Sequence, residues 1–300
     1  LSCPFLDLSF KKYINRQVLK NYDLSHKEKS MKKIISLVVP CFNEQETIPL
    51  FYETVEQIKP QLRGYEVEYY FINDGSSDNT LNILRKLHEN NKKDVHYVSF
   101  SRNFGKEAAL YAGLKSVTGD YVAVMDVDLQ DPPEQLCLML AGIEDEGYDI
   151  VGTRRTDRKG EPVIRSFFSK LFYKMINKIS HTQFIDGVRD FRLMTRQVVN
   201  SILEMSEYNR FSKGLFSWVG FKTKYLEYTN QDRIAGKTSW TFWGLFKYSI
   251  EGIINFSEAP LYIASYVGTG SFIISVISLI FIVCRKLLFG GSVNGWASLV

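Results

Sequence analysis

Cysteine is scarce in this 300-residue chain, and its four copies lie far apart. Cys3, Cys41, Cys137 and Cys284 form no metal-type pair, which argues against a disulfide framework or a zinc site and fits a reducing compartment. Glycine-rich phosphate loops are missing too. No G-x-G-x-x-G follows the first apolar run, and no G-x-x-x-x-G-K is present. The four histidines are scattered and no G-x-S-x-G occurs, so Ser-His-Asp catalysis has little support. A net charge of +4 is mild, and no basic stripe marks a nucleic-acid binder. Residues 1–30 hold no apolar core long enough for a signal peptide. They mix charge with scattered apolar residues and begin with Leu, so they are expected to be an N-terminal extension outside the fold.

What the chain does have is strand–helix alternation from Met31. Ile34–Val39 is a near-continuous β-branched run, the pattern of a strand buried on both faces of a parallel sheet. Helical periodicity follows over about 46–58. A second strand over 66–72 ends in Asn73-Asp-Gly-Ser-Ser-Asp-Asn-Thr80, where Ser76, Ser77 or Asp78 is expected to cap a helix running to about Glu89. A third strand over 95–100 leads into Ser101-Arg-Asn-Phe-Gly-Lys106 and another helix. The pattern predicts an α/β fold, a mostly parallel Rossmann-like sheet with flanking helices that holds ligands at the carboxyl ends of its strands.

The fourth strand, Tyr121–Met125, breaks into three acidic residues and an amide within six positions. Side chains two apart on a strand share a face, so Asp126, Asp128 and Gln130 are expected to converge at the strand's end. Asp131 reads as a helix N-cap, with Pro132 at the first helical position and Glu134 at the third. Such oxygen donors suit a hard divalent cation that leaves positions open for phosphate. By itself the pattern is equally a strand-to-helix turn with solvated carboxylates.

Downstream, a short strand over 148–152 ends in Thr153-Arg-Arg155. Residues 161–180 read as a basic helix with an apolar face, suited to a solvated surface or to an anionic membrane. Asp186-Gly-Val-Arg-Asp-Phe-Arg192 precedes a helix expected from about Thr195, and 221–228 reads as a strand. Residues 236–260 are expected to form a juxtamembrane amphipathic helix rich in aromatics. Leu261–Cys284 carries no charge over 24 residues, enough for a transmembrane helix at roughly 20 residues per span. Arg285 and Lys286 follow it. Residues 295–300 look like the start of a second, truncated span. If the catalytic part is cytoplasmic, Arg285 and Lys286 run against the positive-inside trend, although basic residues before the span outnumber them.

Carboxylates and amides at the ends of strands one, two and four, with arginines downstream, suit a nucleotide diphosphate held by a metal plus an anionic second substrate. Five motifs in order then carry a resemblance: Val38-Val-Pro-Cys-Phe-Asn-Glu44, Asn73-Asp-Gly-Ser-Ser-Asp78, Arg102-Asn-Phe-Gly-Lys106, Asp126-Val-Asp-Leu-Gln-Asp-Pro-Pro133 and Asp190-Phe-Arg192. From about Ile34 onward the chain resembles the inverting family 2 glycosyltransferases of the GT-A fold. Within them it is similar to the polyprenyl-phosphate group of dolichol-phosphate mannose synthases and bactoprenol glucosyltransferases. The two expected spans place it nearer the latter.

The resemblance implies a GT-A catalytic domain over 31–235 that moves a hexose from a nucleotide sugar to undecaprenyl phosphate with inversion, dependent on Mg²⁺ or Mn²⁺. UDP-glucose is the first choice of donor. Mannose, N-acetylated hexosamine and aminoarabinose donors stay open. It implies Pro40, Phe42, Asn43, Glu44, Asp74, Lys106 and Asp126 at the nucleotide sugar, Asp128 and Gln130 as metal ligands, and Asp190 and Asp126 as catalytic residues. Arg154, Arg165 with Ser169, and Arg233 would hold the acceptor phosphate, with Arg155 or Arg192 as substitutes. The base role of Asp190 is not required, because a phosphate monoester is mostly dianionic at neutral pH. The implied setting is the cytoplasmic face of a bacterial inner membrane, as a multi-pass protein and a homo-oligomer, a tetramer by family resemblance. A processive polysaccharide synthase is the rival enzyme, but its Gln-x-x-Arg-Trp motif is absent: Gln231-Asp-Arg233 lacks the Trp and Trp240 follows Ser239. A non-catalytic membrane scaffold would have lost the Asp126/Asp128 pair, and both residues are present.

Overall fold

The β-branched run becomes β1 (Lys33–Cys41), whose Ile35, Leu37, Val38 and Val39 are fully buried. The computed structural model describes residues 32–155, 173–180, 184–205, 210–228 and 242–289. β1 lies between β2 (Tyr65–Asn73) and β4 (Tyr121–Val124), parallel to both, and β3 (Val95–Ser99) pairs parallel with β2 at one edge. Beyond β4 the order continues with β6 (Val188–Thr195), β5 (Ile150–Arg155) and β7 (Thr223–Tyr228), giving seven strands. β6 is antiparallel to both neighbours, and β7 is parallel to β5.

The period of two along β1 splits the core into two layers. Ile35, Leu37 and Val39 pack with Phe51 and Val55 of α1 (Thr47–Ile58), Leu84 of α2 (Thr80–Asn90), and Leu136 and Met139 of α4 (Gln135–Glu144). Val38 points the other way, to Ala109 and Leu110 of α3 (Lys106–Ser116), Val198 and Ile202 of α5 (Arg196–Glu204), and Phe216 of α6 (Ser212–Trp218). Helices therefore cover both faces, the α/β arrangement expected from the alternation.

Two capping expectations are corrected, and one strand was not expected. Asp190-Phe-Arg192 precedes a helix, α5, as expected, but itself lies in the reversed strand β6, where Phe191, Leu193 and Met194 are buried. Its charges hid the strand period. The α4 helix starts at Gln135 with Glu134 in the N-cap position, so Asp131 is no cap. Residues before proline are pushed away from the helical region, and Asp131 and Pro132 both precede one. Likewise Asn79, not Ser76, Ser77 or Asp78, occupies the N-cap position of α2, although Asp78 Oδ1 still accepts the Thr80 N–H at 3.0 Å.

Among the described residues, 173–180 and Phe184 group with the C-terminal helices in a second unit rather than with the sheet. Here α7 (Phe242–Phe256) stops at Ser257, whose hydroxyl donates to the Ile179 carbonyl at 2.9 Å and accepts the Ala259 N–H at 3.1 Å, starting α8 (Ala259–Phe289). Phe256 meets Phe184 edge-on at 5.6 Å. The stretch Ala259–Leu288 is long and apolar enough to cross a membrane. Its 30 residues span roughly 45 Å, more than a bilayer's hydrocarbon core. Arg285 and Lys286 follow the uncharged stretch and lie inside this helix. The described residues hold one such helix, so a multi-pass arrangement is not supported. The second span at 295–300 lies outside them, as do residues 1–30.

Candidate active site

The carboxyl ends of β1 and β2 are laced together. Asn43 adopts a left-handed backbone (φ 56°), and its Oδ1 accepts the Ser77 N–H at 2.8 Å while its own N–H donates to Ser76 Oγ at 2.9 Å. The Glu44 N–H donates to Thr80 Oγ1 at 2.8 Å, and the Thr47 hydroxyl donates to the Glu44 carboxylate. Phe42 stands 39% exposed at this rim, and Pro40 is partly exposed beside it.

Asp74, only 4% exposed, clamps the next loop: its two carboxylate oxygens accept the Phe104 N–H at 2.7 Å and the Gly105 N–H at 2.9 Å. Burial pushes its carboxyl above the ordinary value despite those bonds. The adjacent Gly75 (φ 64°) has no room for a side chain, because a Cβ there would come within 2.2 Å of the Arg102 carbonyl carbon. Gly75→Ala should cost about 3 kcal/mol, combining backbone strain with the clash. Thermal unfolding and donor titration should both register the displaced loop, and a variant that melts and binds donor like the parent would refute this contact's role.

That clamp delivers Lys106, the first residue of α3, to the end of β4. Its ammonium lies 2.6 Å from Asp126 Oδ1 and 2.5 Å from Asp190 Oδ2. The geometry follows from the reversed strand. Val124 pairs with Arg192 across the antiparallel β4–β6 ladder, so two residues further Asp126 and Asp190 leave the sheet at the same edge. Burial alone would raise the Asp190 carboxyl, but Lys106, then Lys213 and Arg192, outweigh it and hold Asp190 well below the usual carboxylate range. Lys106 is opposed by burial and held above its usual range by the same two carboxylates.

The strand period does not extend through the Asp126–Asp131 turn. β4 ends at Val124, and Leu129 takes a left-handed backbone (φ 54°) while 4% exposed, so period-two reasoning stops applying. Asp128, 7% exposed, accepts the Gln130 N–H at 3.2 Å. The Gln130 side-chain carbonyl accepts from Arg189 at 3.2 Å. Asp131 accepts the Arg189 Nε–H at 3.2 Å and the Tyr228 hydroxyl, which explains why it is not free to cap α4. No group of three or more His, Cys, Asp or Glu gathers to hold a metal among the described residues. The oxygen donors present fit a cation whose shell is completed by phosphate oxygens, as is usual for Mg²⁺.

Of the arginines, Arg154, the penultimate residue of β5, has 42% side-chain exposure, donates its Nε–H to the Asp186 carbonyl at 3.2 Å and brings Nη1 to 3.5 Å from Glu227. Arg155 donates its main-chain N–H to Gly187 at 2.9 Å. Arg192 is unsuited to a substrate role: it is 2% exposed, and its guanidinium donates to the carbonyls of Asp190 and Arg189. It braces the strand that presents Asp190. Arg165, Ser169 and Arg233 lie outside the described residues. Arg189, Tyr228 and Lys213 were missed from sequence because no spacing rule singles them out; only the tertiary pairing does.

The mostly parallel seven-stranded sheet, covered by helices on both faces and carrying Asp126, Lys106 and Asp190 at its carboxyl edge, has the GT-A architecture of glycosyltransferases. Residues 36–203 match the family described as Glycosyl transferase family 2, and the chain belongs to that family. It is 44% identical over 266 residues to the prophage bactoprenol glucosyl transferase homolog of Escherichia coli (strain K12), covering 89% of this chain and 86% of that protein. It is 42% identical over 267 residues to the putative glycosyltransferase CsbB of Bacillus subtilis (strain 168), covering 89% and 80%. Among solved structures, the mannosyltransferase PcManGT of Pyrobaculum calidifontis, in complex with GDP-Man and Mn²⁺, shares the fold: TM-score 0.52 at 16% identity, over 90% of this chain and 79% of that one.

Proposed function

We propose that this glycosyltransferase moves a hexose, glucose from UDP-glucose in the first instance, to undecaprenyl phosphate at the cytoplasmic face of a bacterial inner membrane. The observation that carries the reading is the Asp126–Lys106–Asp190 centre, set where a nucleotide rim meets the arginine-bearing end of β5. Relatives whose names specify bactoprenol glucosyl transfer support the acceptor. The apolar α8 supplies the membrane attachment that a polyprenyl acceptor calls for.

In this reading the nucleoside lies over Pro40, Phe42, Asn43, Glu44 and Asp74, and the diphosphate reaches Asp126 and Lys106. Asp128 would hold the metal, joined by Gln130 once Arg189 releases its carbonyl. A divalent ion such as Mg²⁺ or Mn²⁺, when bound, neutralises the departing nucleoside diphosphate. Arg154, with Arg165, Ser169 and Arg233, grips the acceptor phosphate through planar, permanently charged donors. That phosphate, already dianionic, attacks the anomeric carbon as the bond to the diphosphate breaks, inverting the centre without a general base. Asp190, held ionised by Lys106, orients that lysine beside Asp126 rather than taking a proton.

The test uses membranes containing the full-length protein, undecaprenyl phosphate and a panel of radiolabelled nucleotide sugars, with and without EDTA. Lipid-linked product from one donor, lost with EDTA and restored by Mg²⁺ or Mn²⁺, is expected. No lipid-linked product from any donor would defeat the acceptor assignment, and EDTA-insensitive product would defeat the metal.

A further inference from the structure

Three cations act on Asp190, and two of them are already committed. Lys106 is held between Asp126 and Asp190. Arg192 is buried, bonded to two main-chain carbonyls and laid 3.8 Å over the Phe216 ring. The third, Lys213, is half-buried, and its ammonium makes no hydrogen bond or ion pair among the described residues.

Lys213 is brought to this place by two separate contacts. Glu107, the residue after Lys106, accepts the main-chain N–H of Ser212 at 3.0 Å and also its hydroxyl. Three residues beyond Lys213, Phe216 packs under Arg192. α6 is therefore pinned both to the helix that carries Lys106 and to the strand that carries Asp190. The charges are uneven as a result. Lys106 already serves both carboxylates, and a partly desolvated ammonium with no direct partner is unfavourable unless an anion arrives.

The reaction brings two anions, and position separates them. The donor diphosphate belongs with Asp126 at the end of β4. Lys213 acts on Asp190 of β6, the strand between β4 and the β5 end that carries Arg154. We infer that Lys213 is a ligand of the acceptor phosphate, placed by the Glu107–Ser212 contact beside Asp190 on the arginine-bearing side of the centre. This rests on the acceptor reading above. An ammonium with three free N–H donors meets the phosphate oxygens as a point charge, complementing the planar grip of Arg154.

The experiment compares full-length wild type, K213Q, K213M and K213R in detergent–lipid micelles, varying undecaprenyl phosphate and UDP-glucose separately. K213Q should raise the apparent KM for undecaprenyl phosphate at least about tenfold, the loss expected for one charge-assisted hydrogen bond. Its dissociation constant for UDP-glucose should stay within about twofold, and K213R should recover most of the acceptor affinity. The melting temperature should change little, because the ammonium makes no direct hydrogen bond or ion pair among the described residues. Unchanged acceptor KM in K213Q, or a rise in the donor constant instead, would overturn the inference. A fall in melting temperature for both K213Q and K213M would make the lysine structural and overturn it too. Wild type that glycosylates no undecaprenyl phosphate would instead defeat the acceptor reading and, with it, this inference.

Discussion

Lys106→Met should cost the enzyme both activity and stability. Among the described residues the ammonium is the contact shared by Asp126 and Asp190, so its removal leaves two carboxylates at the same sheet edge without it. Removing one partner of a fully buried pair costs 3–5 kcal/mol; the Lys106 side chain is 30% exposed, so about 2 kcal/mol is expected. Transfer should fall by on the order of a hundredfold or more, because the donor diphosphate loses a cation and Asp126 loses its anchor. The pH dependence should change as well. In the wild type the Asp190 carboxyl is depressed, so its contribution to stability is present above the unfolded value near 3.9 and is lost only as pH falls through the lower folded value. Without Lys106, an ionisation should emerge near or above pH 4 in melting temperature against pH. A Lys106→Met protein within threefold of wild-type rate, with an unaltered acid limb, would remove this lysine from the mechanism.

Asp128→Asn should stop transfer almost completely, whereas Asp190→Asn should only slow it. A lost ligand to the ion that neutralises the diphosphate costs several kcal/mol at the transition state, about a thousandfold in rate. Asp190→Asn removes one of the two partners of a lysine that keeps the other, and an attacking phosphate dianion needs no base, so about tenfold is expected. The ratio is read from initial rates under saturating metal. The shape of the pH–rate profile between pH 6 and 8 should be the same in Asp190→Asn and wild type, since Asp190 is ionised throughout that range. A larger loss at Asp190 than at Asp128, or the loss of an acidic limb in Asp190→Asn, would restore Asp190 as the base.

Much of this was legible in the chain itself. The β-branched run over 34–39 lies in a strand packed on both faces, and the stretches 66–72 and 121–124 fall in its two parallel neighbours. The motifs at Asn43, Asp74, Lys106 and Asp126 fall at the carboxyl edge because strand–helix alternation puts them there. What escaped was the reversed strand. Arg189, Asp190 and Arg192 break its apolar period, and the charges of Arg189 and Asp190 are matched by partners 58 and 84 residues away. Period-two spacing does not by itself align Asp126, Asp128 and Gln130, because strand pairing ends at Val124 and Leu129 turns left-handed. Asp131 looked like a cap because capping is a local rule, but its carboxylate is taken by the half-buried Arg189 guanidinium from another strand. Local rules placed the elements, while long-range charge pairing chose the partners inside the site.

The most direct test of the account is the chemical identity of the lipid product. Full-length protein is incubated with UDP-glucose and undecaprenyl phosphate, and the lipid fraction is analysed by mass spectrometry and by the anomeric proton coupling of the attached sugar. The account requires one hexosyl unit on a lipid with a single phosphorus, in the anomeric configuration opposite to that of the donor. A lipid carrying two phosphorus atoms, a polymer of hexosyl units, or retained configuration would each contradict direct attack of the acceptor phosphate.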